Sequence, residues 1–383
     1  MQERFSRALP VAFAAVLALA PPFLSPKSLD FSGMLAAWGS GQVAEQVNPV
    51  FGLRYVPDLK LDQSLGHGAS LSFEFSLNAY GTVAFPADTK AQTDAAVKAY
   101  RGWVRFATPR FELRLGLQKL SFGSASLLRP LMWFDRIDPR DPLQIADGVY
   151  GLLAKYTFQN NTNIWFWGLY GNDQVKGWES YPTEKKTPEF GGRVQFPVPK
   201  GEIGFTYHYR RMDPGAGPSA IEGAAPAPEN RIAFDGKWDL GVGLWVEGAL
   251  IKSDSSVLPF PAQRALTLGA DYTFGVGGGL HVLAEHFTMQ NAATLFGAGR
   301  SEKISALSVS YPLGILDTIR GILYYDWVNR QFYRFLDWQR TYDRWSFYVI
   351  GFWNPETFKI YPNRAGQSSF AGKGIQVMVV FNH

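Results

Sequence analysis

Residues 70–85, SLSFEFSLNAYGTVAF, set Leu71, Phe73, Phe75 and Leu77 in alternation with Ser72, Glu74, Ser76 and Asn78. Successive side chains of a β-strand point to opposite faces, so the stretch reads as a strand with one apolar and one polar face. Turning the Glu74 carboxylate toward hydrocarbon would cost on the order of several kcal/mol. The strand therefore divides two media, one greasy and one wet. Two architectures supply that boundary: a soluble sandwich with its apolar face inward, and a membrane barrel with its apolar face outward.

The alternation recurs along the chain. Phe111, Leu113, Leu115 and Leu117 alternate with Glu112, Arg114 and Gly116. Ile203, Phe205, Tyr207 and Tyr209 alternate with Glu202, Gly204, Thr206, His208 and Arg210. Leu266, Leu268, Ala270, Tyr272 and Phe274 alternate with Thr267, Gly269, Asp271 and Thr273. Weaker copies run over 231–238, 242–252, 319–327 and 345–353. Segments of about 10–12 residues match a tilted crossing of the hydrocarbon layer. Their second face carries Arg, Glu, Asp, Thr, Ser and Gly, the chemistry of a wet lumen. Aromatic residues close the segments as interfacial girdles do, at Tyr55, Tyr80, Phe106, Phe158, Tyr209, Trp238, Phe274, Tyr311, Trp327 and Trp353. These three features select the barrel.

The connections alternate in length. Short ones fall at 108–109, 159–161, 197–201, 239–241, 275–279, 312–316 and 354–357. Long ones fall at 86–93, 123–146, 171–187, 212–229, 253–261, 290–300, 329–341 and 362–370. Short periplasmic turns and long outer loops predict an all-β transmembrane antiparallel up-and-down barrel of about 18 strands (16–20), with both mature termini on the periplasmic side. A closed sheet offers no natural place to divide, so 26–383 is expected to be one outer-membrane barrel. Ahead of it, Arg4 and Arg7 precede the apolar run Ala8–Ala20, which ends in Ala-Leu-Ala. That pattern predicts a secretory signal peptide over 1–25, cut between 20 and 27 because Pro21 disfavours cleavage directly after Ala20. The chain ends GIQVMVVFNH, where Ile375, Val377, Val379 and Phe381 alternate outward. This resembles the terminal strand by which the outer-membrane assembly machinery recognises its clients, although Asn382 and His383 follow the phenylalanine.

Composition agrees. Aromatic residues make up 15% of the 383 and glycine counts 39, a chain of strands and tight turns. Charged residues, at 18%, fall below the roughly 25% of typical soluble domains. The absence of cysteine excludes thiolate metal sites, thiol catalysis and covalent c-type haem attachment. A formal charge of +4 with no basic cluster argues against nucleic acid as a partner. No nucleotide or haem motif is present, and no cofactor is expected.

Parity places a mixed set of charges on the inner face. The basic members are Arg54, Arg101, Arg105, Arg114, Lys155, Arg193, Arg210, Arg231, Arg320 and Arg344. The acidic ones are Glu74, Glu112, Glu189, Glu202, Asp235, Glu247, Asp271, Glu285 and Asp326. Cross-strand pairing and a selectivity-setting lining both account for such residues. Arg101, Arg105 and Arg114 form the strongest local basic patch and favour polar or anionic solutes. In the long connection inside 116–151, Arg129, Asp135, Arg136, Asp138, Arg140 and Asp141 crowd with Trp133 and Phe134. Asp138-Pro139 and Asp141-Pro142 stiffen it. It reads either as a constriction folded into the pore or as a surface loop held by Arg–Asp pairs. A calcium site on the three aspartates is opposed by the interleaved arginines, and no metal is expected.

The segment Gly116-x-Gln118-x-x-x-Phe122-Gly123, followed by Phe134-Asp135 and Asp138-Pro-Arg-Asp-Pro142, resembles bacterial porin-like outer-membrane barrels, including the alginate-export family. The local match covers about a tenth of the chain. The resemblance implies a passive, non-enzymatic conduit: a channel for small polar or anionic solutes, or an exporter of a polysaccharide. Outer-membrane lipid and lipopolysaccharide are then its surroundings. A second reading makes the barrel a sheath for a periplasmic redox or export complex. A third is an outer-membrane hydrolase, for which His286 with Ser308 or Ser310 is the nearest pairing, with no acid placed to orient it.

Overall fold

The computed structural model describes residues 28–43, 47–86, 90–356 and 370–383. The segment read as a signal peptide lies outside the described residues.

Eighteen antiparallel strands form one sheet: Ser28–Val43 (β1), Val47–Gly66 (β2), Ala69–Ala84 (β3), Gln92–Ala107 (β4), Phe111–Gln118 (β5), Val149–Thr157 (β6), Asn163–Leu169 (β7), Glu189–Val198 (β8), Gly201–Met212 (β9), Ala227–Asp239 (β10), Gly243–Ser253 (β11), Ala262–Phe274 (β12), Leu280–Ala292 (β13), Gly299–Pro312 (β14), Asp317–Asp326 (β15), Gln331–Thr341 (β16), Trp345–Trp353 (β17) and Lys373–Asn382 (β18). Each pairs with its neighbour in sequence, and β1 pairs with β18, from Met34↔Asn382 to Val43↔Lys373. The sheet is therefore a closed barrel with no unpaired edge, the only form in which strands cross a bilayer. His383 extends the seam. It exchanges two backbone hydrogen bonds with Gly33, both 3.0 Å, and its ring stacks on Tyr55.

The two faces follow the sequence alternation. In β9, Phe205 and Tyr207 are exposed while Thr206, His208 and Arg210 are buried. In β12, Leu266 and Leu268 are exposed and Thr267 is fully buried. Exposed Leu115, Phe166, Ile232, Leu336, Ile375 and Val377 continue the apolar belt around the outside. Aromatic pairs mark its lower border beside the turns, as at Tyr156–Phe158, Tyr272–Phe274 and Trp345–Phe381. Tyr325–Trp327 and Trp353 mark the upper border beside the long connections. Tyr80 does not belong to a girdle. It faces inward, 5.5 Å from both Arg54 and Lys98.

Two corrections concern the last third of the chain. The segment 329–341 is not a loop: a tight turn at 327–330 leads into β16. Alternation is hidden there because both faces carry large apolar residues, Phe332, Leu336 and Trp338 outward and Tyr333 and Phe335 inward. Consequently 354–357 is not a periplasmic turn. The turn is 342–344, which holds Arg344, and 354–372 is one outer connection whose residues 357–369 lie outside the described set.

The third correction concerns the interior. It is not uniformly wet. The inner face of β13–β17 carries a large apolar patch, with Phe287, Ile304, Ile322, Tyr324, Tyr333, Phe335, Ile350 and Phe352 buried together. These residues need a cover that removes them from water, and the connection between β5 and β6 provides it.

Candidate functional site

Residues 119–148 leave β5 and fold inside the barrel. Gln118 starts the turn inward, its side-chain amide donating to the carbonyls of Arg114 (3.3 Å) and Gly151 (3.0 Å). Phe122 stacks on Trp167 at 5.7 Å, and Phe134 meets Trp167 and His208 edge-on. Leu128 and Met132 join the apolar wall of β13–β17, together with Trp178, which stacks on Phe287 at 4.7 Å. Further on, Arg140 lies over Phe335 and Phe370, each at 5.4 Å, and Leu143 packs against the β1–β18 seam.

Two wall carboxylates hold the tip of this loop. Glu285 on β13 accepts from the backbone N–H groups of Ser126 (2.6 Å), Leu127 (2.9 Å) and Leu128 (2.6 Å), and from Trp245 Nε1 (3.0 Å). Glu247 on β11 accepts from the N–H groups of Ala125 (2.9 Å) and Leu131 (2.7 Å). Thr267 Oγ1 donates to the Leu128 carbonyl at 2.6 Å. Such charge-assisted bonds are about twice as strong as neutral ones, so the tip is fixed to the far wall. Gly123 has φ +101, and a Cβ there would run into the Glu247 carboxylate.

Two ion pairs stiffen the loop from within. Arg129 donates to Asp135 (3.0 Å) and to Ser121 (2.9 Å). Arg140 makes a two-point contact with Asp138 (2.7 and 2.6 Å). Asp141 accepts from the Leu143 N–H at 2.9 Å. The three aspartates thus serve separate partners rather than converging. Arg136 is half-buried beside them.

The inner-face residues named from sequence divide into two groups. Arg193, Arg210 and Arg231 stand on the inner wall but are buried beneath the loops. Arg193 makes a two-point contact with Asp235. Arg210 and Arg231 share Glu229 at 2.6 and 2.7 Å and Glu179 at 3.1 and 2.7 Å. Arg101 is also covered, donating to the Ala146 carbonyl (2.9 Å) where the long loop returns to the wall. Arg320 pairs with Asp337 at 2.7 Å. In the connection between β7 and β8, burial holds the Lys176 ammonium below its usual range against the pull of Glu189 and Glu179.

The second group lines the arc from β2 to β6, where the loop does not cover the wall. Arg54, Glu74, Glu112, Arg114 and Lys155 are only partly buried there. Arg105 Nε and Arg114 Nη2 both reach Glu112, at 2.8 and 3.0 Å. Arg114 lies 4.6 Å over the Trp103 ring, and Lys155 3.8 Å over Trp165. Two cations thus share Glu112, with Lys155 opposite it in the register, on a ladder floored by two indoles. Glu202 and Asp271 sit near the periplasmic turns, with Gln195 and His281 as their partners.

Sequence reasoning passed over Lys60 and Trp103 on this arc, which parity from Arg54 and Arg105 would have found. It also passed over Lys98, whose phase is shifted by the β3–β4 bulge, and Trp165, which stands on β7 opposite Lys155. It placed Glu247 and Glu285 on the inner face without seeing what they bind, because their partners are backbone groups more than a hundred residues away. His286 is on the lipid side, bonded to Ser305 Oγ at 2.9 Å, while Ser308 is buried on the inner face. A His286–Ser308 catalytic pair is therefore not formed.

No protein-family model matches the chain, and no curated protein matches it in sequence. Solved structures do. OccAB1 of Acinetobacter baumannii matches over 93% of this chain and 96% of its own, at 9% identity and TM-score 0.57. OccK7 of Pseudomonas aeruginosa matches over 93% and 99%, at 10% identity and TM-score 0.56. An anion-selective porin from Comamonas acidovorans matches over 93% and 99%, at 15% identity and TM-score 0.49. At these identities the likeness is one of fold: a closed, 18-stranded outer-membrane barrel of the porin kind, with its apolar belt toward the lipid of the bacterial outer membrane.

Proposed function

We propose that this barrel is a passive channel for small polar solutes with a preference for anions. The observation that carries the reading is the β2–β6 arc, the stretch of inner wall left accessible by a loop clamped across the rest. On it, Arg105 and Arg114 pair with Glu112, Lys155 stands opposite Glu112 across the β5–β6 ladder, and Trp103 and Trp165 back the cations. Fixed cations in a narrow lumen attract anions and repel cations. The indole faces add a flat surface for solutes with an apolar side. A loop pinned by two carboxylates favours small solutes over a polysaccharide.

Single-channel recording in planar bilayers under a KCl gradient tests this. The expected reversal potential lies on the chloride side. The triple variant Arg105→Gln/Arg114→Gln/Lys155→Gln is expected to move it toward potassium. An unchanged reversal potential would remove the role given to the ladder. Absence of any conductance, with a tight periplasmic complex in a pull-down, would favour the sheath.

A further inference from the structure

The outer surface carries a groove that the channel reading does not use. The register aligns two adjacent outward rows. Leu250, Arg264, Gln290 and Ser301 lie side by side across β11–β14. Next to them run Gly248, Leu266, Thr288 and Lys303. Gly248 leaves a gap in the belt, and together these residues enclose a groove of about 660 Å³. Its far wall is Phe205 and Phe234, whose rings lie 5.2 Å apart, with Ile232 beside them.

The groove is amphipathic along its length. Its apolar end lies over β9–β11. Its polar end lies over β12–β14, close to the outer connections at 254–261 and 293–298. Two cations stand there and no carboxylate lines the groove. The Arg264 guanidinium is oriented by Gln290 Oε1 and by the Leu295 carbonyl (3.1 Å), neither of which cancels its charge. Lys303 is exposed and makes no ion pair among the described residues. Basic side chains on a lipid-facing surface are costly at mid-depth and tolerated only near the headgroups, so two of them here need an anionic neighbour.

We infer that this groove is a binding site for a phosphorylated lipid of the outer leaflet, with its phosphate between Arg264 and Lys303 and an acyl chain laid over Gly248 toward Phe205 and Phe234. Ser301 and Thr288 supply hydroxyl donors beside the phosphate. The charge pattern selects a lipid over a second copy of this chain, whose own apolar belt would offer the cations nothing.

The test is native mass spectrometry of the purified barrel in detergent with diphosphorylated lipid A added, against the same lipid stripped of both phosphates. The wild-type protein is expected to retain the phosphorylated form and to shed the stripped one. Arg264→Gln/Lys303→Gln is expected to weaken retention roughly twenty-five-fold, from about fivefold for each cation near a charged surface. Gly248→Leu keeps both cations and fills the tail slot. Its Cβ would meet only side-chain and backbone atoms at 3.6 Å and beyond, so it leaves the sheet intact. It is expected to weaken retention as well. Equal retention of the two lipids, or unchanged retention in both variants, overturns the proposal. So does an oligomer of the wild-type barrel that Gly248→Leu dissociates, which would make the groove a subunit seat. Channel conductance is read separately, so failure here leaves the transport reading standing.

Discussion

Replacing Glu285 by Gln tests the clamp on the inward loop. The carboxylate receives Ser126 N and Trp245 Nε1 on one oxygen and Leu127 N and Leu128 N on the other, at 2.6–3.0 Å. Glutamine keeps one acceptor and presents an NH₂ group in place of the second. Whichever way the amide turns, two donors lose their acceptor and face another donor. A buried donor left unsatisfied costs about 1–3 kcal/mol, so the change should cost roughly 2–6 kcal/mol at the loop tip. Each ~1.4 kcal/mol is tenfold in population, which predicts a rise of about thirtyfold or more in the open fraction of residues 126–128. Hydrogen exchange read by mass spectrometry measures it directly. The peptide carrying 126–128 should exchange faster by that factor, while peptides from the strands keep wild-type protection. Glu247→Gln should instead loosen Ala125 and Leu131, whose bonds are 2.9 and 2.7 Å. In planar bilayers Glu285→Gln should show excursions to larger conductance. If residues 126–128 exchange at the wild-type rate in the variant, the carboxylate does not hold the loop and the reasoning fails.

Three further outcomes follow from the packing. Gly123→Val places a β-branched residue at φ +101 and its Cβ against Glu247, so it should destabilise the loop by about 1–3 kcal/mol, seen as a lower melting temperature and faster exchange at 123–125. Phe205→Arg puts a charge into the lipid-facing belt and should cost about 2–4 kcal/mol if it lies near mid-depth, measured by reversible urea unfolding from lipid vesicles. Glu229→Ala leaves Arg210 and Arg231 buried with Glu179 as their remaining carboxylate. Removing one partner of a buried pair costs about 3–5 kcal/mol, so the same unfolding assay should show a large loss, whereas Glu202→Ala at the exposed rim should show little.

Much of the architecture is legible without coordinates because a barrel writes its two media into every strand. The parity that puts Phe205 and Tyr207 outside and Thr206, His208 and Arg210 inside can be read from nine residues of sequence. It fails where the inner medium is not water. Along β15 and β16, Ile322, Tyr324, Tyr333 and Phe335 point inward against the folded loop, so both faces are apolar and the period vanishes. That is why β16 reads as a loop. The charged cluster at 129–141 is equally visible, and so are the prolines that stiffen it. What local sequence does not contain is the destination of its backbone. The groups at Ala125–Leu131 are ordinary amides, and only the closed sheet brings Glu247 and Glu285 opposite them. The partition of the arginines into covered and accessible sets has the same origin, since it depends on where the loop lies.

The clamp also dictates an order of events in assembly. The tip's acceptors occur 116–159 residues later in the chain than its donors. A barrel laid down from its amino end must carry that loop unseated, its amides hydrated, until the eleventh and thirteenth staves arrive. The bore is therefore set only after two-thirds of the wall is in place, and a chain truncated before Glu285 would present twelve staves with Glu247 as the loop tip's one remaining carboxylate hold.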